Sequence, residues 1–167
     1  MRISAYILLS SILVSCWSNP RPKNDTNSIT LEDLLLLKSE QRIKSEMLIL
    51  DSLSQSMGWS AKALSGGILV ENIIDKEGSL NVDGDTVFMN VNVSLVNGNK
   101  CFANDTISLI VDHYDGAPVY NVLAKNMSLG DSCKALVPSD MAYGVRGVPG
   151  SVPPGAMLLV EVRQLAF

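Results

Sequence analysis

The sequence predicts an α+β domain, an antiparallel sheet packed on one short helix and preceded by a long N-terminal helix. Three observations carry this. After Ser65-Gly66-Gly67 the chain breaks into short strand-like runs divided by turn residues. Only one short helical stretch lies among them, so the strands do not alternate with helices as a parallel βαβ sheet requires. Before that point, residues 31–57 contain neither Gly nor Pro.

Size and charge narrow the class. The chain has 167 residues, 13 Lys+Arg, 17 Asp+Glu, one His and three Cys, and 47% of it is hydrophobic. At ~100–200 residues per domain, this is one domain with an appendage. The apolar content excludes a disordered chain. The acidic balance argues against a nucleic-acid partner, because nothing would neutralise a row of phosphates. One His and no Cys-x-x-Cys argue against a metal centre or a Cys/His dyad. No metal or cofactor is expected.

Taking the elements in order, residues 1–15 read as a leader. Arg2 supplies a positive start, and 3–14 is almost wholly apolar. That run is too short to span a ~30 Å hydrocarbon core, and reads as the h-region of a signal peptide. It ends in Leu13-Val14-Ser15-Cys16, which resembles the lipobox of bacterial lipoproteins. The resemblance implies cleavage before Cys16 and its acylation, hence a membrane-anchored protein of the cell envelope, facing the periplasm. Residues 16–29, with Pro20 and Pro22, read as a tether.

The helical arm spans 30–58. Thr30 and Asp33 are helix-start chemistry, and Gly58 suits the position just past a helix end. The arm's apolar residues form two clusters, one at Leu31 and Leu34 to Leu37, the other at Met47 to Leu50, Leu53 and Met57. A polar middle breaks any sustained heptad, so a helix packed at two points is expected rather than a coiled coil. The first cluster is wider than one face needs. It leaves two readings open, packing on its own domain or a homodimer through this helix.

The domain proper spans 62–167. Strands are expected at 68–74, 86–96, 106–111, 134–137 and 157–165, with a short helix at 120–126. Residues 86–96 alternate apolar and polar residues, and Asn97-Gly98 is a tight-turn signal. Cys101 and Cys133 fall on strands towards opposite sides of such a sheet, so both should stay unpaired.

Residues 135–165 carry most information. They contain Asp140-Met141-Ala142-Tyr143-Gly144, then Gly147-Val148-Pro149-Gly150, then Val152-Pro153-Pro154-Gly155-Ala156-Met157-Leu158. The Gly and Pro residues build a loop of fixed shape, since Gly permits positive φ and Pro locks φ. Tyr143 begins that loop. Its ring can wall an apolar pocket while its hydroxyl donates to a carbonyl. On pattern alone, a structural hairpin with Tyr143 in the core stands equally beside a pocket.

This segment resembles the C-terminal signature of the FKBP-type peptidyl-prolyl isomerases, and Met127-Ser128-Leu129-Gly130-Asp131 looks like that family's segment after its helix. The resemblance extends loosely back to about Gly66. With the leader and helical arm, the chain is also similar to the gliding-motility-associated lipoproteins of the family. The resemblance implies an FKBP-like sheet wrapped on a short helix, a pocket rather than a hairpin, and isomerisation of Xaa-Pro bonds in exported proteins. It implies Tyr143 as the group that bonds the substrate carbonyl. Phe102, Tyr120, Val152 and Val160 would form the apolar pocket. Several of the family's aromatics are replaced here, with Tyr120 and Val160 at two of their positions and Ile107 and Leu109 at others, and the family's Asp after Phe102 is Ala103. A protein-binding or chaperone module on the same scaffold is the second reading.

Overall fold

The computed structural model describes residues 30–113 and 116–165. The leader, the tether and Cys16 lie outside the described residues. No helix among the described residues is long and apolar enough to cross a membrane.

Helix α1 (Leu31–Ser56) starts as its sequence dictates. The Thr30 hydroxyl accepts from Asp33 N at 3.1 Å, and the Asp33 carboxylate accepts from Thr30 N at 3.0 Å. Bonds from the Thr30 side chain and backbone hold the Asp33 carboxyl below its usual value. The helix is about 40 Å long at ~1.5 Å per residue. Only Glu46, Leu50 and Ser54 are buried along it. Their spacing of four makes one narrow stripe. Within one chain, only one of the two apolar clusters packs on the domain. The second cluster docks through Leu50, while Leu31 and Leu34 to Leu37 stay exposed. Gly58 ends the helix at φ 68°, where a Cβ would be strained.

Six antiparallel strands follow: β1 (Lys62–Ala63), β2 (Leu69–Ile74), β3 (Thr86–Leu95), β4 (Lys100–Ile110), β5 (Ser132–Val137) and β6 (Leu158–Leu165). Their order across the sheet is β1-β2-β5-β6-β3-β4. β3 behaves as its alternation predicts, with Val87, Met89, Val91 and Val93 all buried. β4 is longer than expected, beginning at Lys100 instead of Thr106. The polar run Ala103-Asn104-Asp105 hides it. Asn104 adopts φ 53°, and its N–H donates to Asn92 Oδ1 at 2.8 Å, so a bulge carries the chain through this run without leaving the sheet.

Helix α2 (Pro118–Lys125) starts two residues before the expected 120, because Pro118 suits a first helical turn where no N–H is needed. It buries Val119, Tyr120, Leu123 and Ala124 against the inner face of the sheet. α1 packs on β2 and β5. Leu136 points opposite to Ala135 and Val137. It is fully buried, as is Leu50 on α1, and neither belongs to the main core, so a second apolar layer lies under the arm.

Asn81 and Gln164 exchange two side-chain bonds of 3.0 Å, and Asn81 also donates to the Ala124 and Met127 carbonyls. This ties the chain before β3 to α2 and β6. Cys101 and Cys133 are free, on strands separated by β6 and β3. Burial, then the nearby Asp131 charge, pushes the Cys133 thiol up to about 12, so it is an inert core group.

Candidate functional site

Tyr143 sits just beyond β5, on a turn the backbone winds tightly. Met141 N and Ala142 N both donate to Pro138 O at 3.1 Å, and Gly144 N donates to Ser139 O at 2.8 Å. The loop that follows is closed at two levels. Gly155 N donates to Gly144 O at 2.9 Å at its neck, and Val148 and Val152 exchange two bonds of 2.8 Å at its waist. Gly147 is the one position where this geometry excludes any side chain. Its φ is 63°, and a Cβ would lie 2.3 Å from Val152 O. An open cavity of about 450 Å³ is formed by the loop itself, between Arg146, Val148, Pro149 and Pro153. Its lining includes neither Tyr143 nor Tyr120.

α2 brings Tyr120 to the same place. Its first turn is pinned to the Tyr143 turn by Val119 N donating to Met141 O at 2.9 Å. The two phenol oxygens lie 3.2 Å apart and share a hydrogen bond. From the other side, the Phe102 ring meets Tyr143 edge-on, with centroids 6.2 Å apart and planes at 61°. Strand register explains Phe102. It stands opposite Val93, which stands opposite Val160, which stands opposite Ala135. That row crosses the buried face of the sheet and ends at Phe102 on β4.

The structure therefore brings Tyr143, Tyr120 and Phe102 together. Val160 lies further along the same row, fully buried, and Val152 is buried at the loop's waist. Tyr143 and Phe102 are half-buried, and they are the members of the group that reach the surface. Sequence reasoning missed Glu46 and Ser139. Ser139 is fully buried directly under the Tyr143 turn, and both oxygens of the Glu46 carboxylate bond it. A lone carboxylate just before Met47-Leu48-Ile49-Leu50 was the available signal, since a buried carboxylate needs donors.

The comparisons with known proteins agree with this geometry. The family model for FKBP-type peptidyl-prolyl cis-trans isomerase matches residues 78–164. The FKBP-type peptidyl-prolyl cis-trans isomerase FkpA of Escherichia coli K12 is 30% identical over 108 residues, which is 62% of this chain and 39% of that protein. The chain thus spans about two-fifths of the length of that relative. Among solved structures, a peptidyl-prolyl cis-trans isomerase of Pseudomonas syringae superposes with a TM-score of 0.63 at 22% identity, over 77% of this chain and 94% of that one. The crystal structure of Escherichia coli FkpA does so with a TM-score of 0.60 at 24% identity, over 81% of this chain and 65% of that one. These two share the fold. A strand order, a phenol pair under a closed Gly/Pro loop and a family match over half its length lead to one conclusion: this chain belongs to the FKBP-type peptidyl-prolyl cis-trans isomerases.

Proposed function

We propose that the protein accelerates cis/trans isomerisation at Xaa-Pro bonds of exported polypeptides, and that Tyr143 is its substrate-bonding residue. The phenol pair beside Phe102 carries the reading. The barrier to be lowered, ~18–20 kcal/mol, comes from amide resonance. No covalent bond breaks, so no acid–base dyad is required. A twisted amide has lost resonance and is less polar at its C–O bond. An apolar surface therefore favours it over the planar form. Either phenol can donate in the shared bond, and in the arrangement where Tyr120 donates, the Tyr143 O–H is left to donate to a substrate carbonyl. That contact fixes one half of the peptide while the Pro half turns.

The leader-like residues 1–15 and the lipobox-like Cys16 support putting this activity at the envelope membrane, on a lipid anchor. The arm's exposed leucines, Leu31 and Leu34 to Leu37, then serve to pair two copies. Sedimentation of the protein should show a dimer that Leu35→Glu with Leu36→Glu converts to monomer. A monomer at all concentrations would remove this pairing.

Exchange NMR with an Ala-x-Pro-Phe peptide tests the activity. Acceleration is expected, and Tyr143→Phe should lower kcat/KM by about 3- to 10-fold, the value of one lost hydrogen bond. No acceleration by the folded protein would leave the second reading, a binding or chaperone module on the same scaffold. The replaced aromatics at Tyr120 and Val160 favour that outcome.

A further inference from the structure

Helix α1 lies outside the residues matched by the family model, yet it reaches the site by two routes. The first runs through Glu46. One carboxylate oxygen accepts from Ser139 N and the other from Ser139 Oγ, each at 2.8 Å. Glu46 is buried and Ser139 wholly so, which makes these strong charge-assisted bonds. Arg42 Nε lies 3.8 Å away, too far for a hydrogen bond, so the Ser139 pair is the closer hold on the carboxylate. Ser139 O then accepts from Gly144 N, beside Tyr143.

The second route is steric. The Met47 side chain fills the space where a Gly67 Cβ would stand, with Cε 2.3 Å from that position. The Met141 side chain does the same at Gly66, with Sδ 2.4 Å away. Met141 O accepts from Val119 N, beside Tyr120. One route thus ends next to each phenol.

We propose that Glu46 is a positioning residue, through which α1 sets the geometry of the Tyr143–Tyr120 pair. The arm is then part of the site's machinery as well as a tether. The effect on catalysis rests on the isomerase reading above, but the effect on the phenols does not. Glu46→Ala removes both bonds to Ser139. Glu46→Gln keeps one acceptor and should restore part of the geometry. Asn72→Ala is the control, since it breaks a surface bond to Asp75 that lies on neither route and on neither element carrying a phenol.

The ring ¹H–¹³C signals of Tyr143 and Tyr120 should shift in Glu46→Ala, shift less in Glu46→Gln and stay in place in Asn72→Ala. Alongside, kcat/KM should fall about 3- to 10-fold in Glu46→Ala at a temperature where every variant is folded. If Glu46→Ala loses stability but leaves both ring signals unmoved, Glu46 is only a clamp and the proposal fails. Should Glu46→Ala not fold, Glu46→Gln decides by the same ring signals. If the wild-type protein shows no isomerase activity while the ring signals still follow Glu46, positioning stands and the isomerase reading falls.

Discussion

Gly147→Ala should abolish most isomerase activity while leaving the sheet folded. The added Cβ would meet the loop's own backbone, at 2.3 Å from Val152 O, 2.8 Å from Pro153 C and 2.9 Å from Pro154 N. None of these atoms is the end of a flexible side chain. The waist made by Val148 and Val152 must open, and the Gly/Pro loop must leave its place beside Tyr143. On the proposed mechanism, in which binding geometry rather than a reactive group lowers the barrier, a displaced pocket wall costs at least about tenfold in kcat/KM. Gly150→Ala is the matched comparison. Its φ of 78° is as unfavourable, but nothing lies within 4 Å of the new Cβ. It should cost only the ~1–2 kcal/mol of a left-handed non-Gly residue and leave activity near wild type. Equal activity losses in the two variants would contradict the steric account.

The second large effect concerns stability. Leu50→Ala should destabilise the protein by about 2–5 kcal/mol, because a fully buried leucine leaves a cavity that rigid neighbours do not fill. For a chain of this size that is a fall of roughly 5–15 °C in Tm by calorimetry. Leu50 is the fully buried apolar residue of α1, which packs on β2 and β5. Weakening it should bring forward the melting of the arm, seen as early amide exchange in α1. An unchanged Tm would show that α1 does not contribute to the fold as its burial implies.

Much of this was legible in the residues. The capping pair Thr30 and Asp33, the alternation of β3 and the Gly/Pro grammar around Tyr143 are local signals, and local signals survive folding. Tyr143, Tyr120 and Phe102 came from a family resemblance, and strand register then explained why they meet. What could not be read was long-range or masked. The extra length of β4 was hidden because an edge strand with one wet face need not alternate. The exposure of the first leucine cluster depends on where the domain ends, which no periodicity reveals. The Glu46–Ser139 contact joins residues 93 positions apart in a segment that also satisfies a helix pattern.

The bulge at Asn104 also shapes how the open edge of the sheet meets other chains. β4 closes one side of the sheet, and no described strand pairs its outer edge. Eleven residues of open ladder would ordinarily recruit any extended polypeptide, including another copy of this chain. Here the ladder is interrupted mid-strand. Asn104 turns through a left-handed conformation and Asp105 adds an exposed charge at the break. An interrupted edge of this kind works against pairing with extended polypeptide, another copy of this chain included.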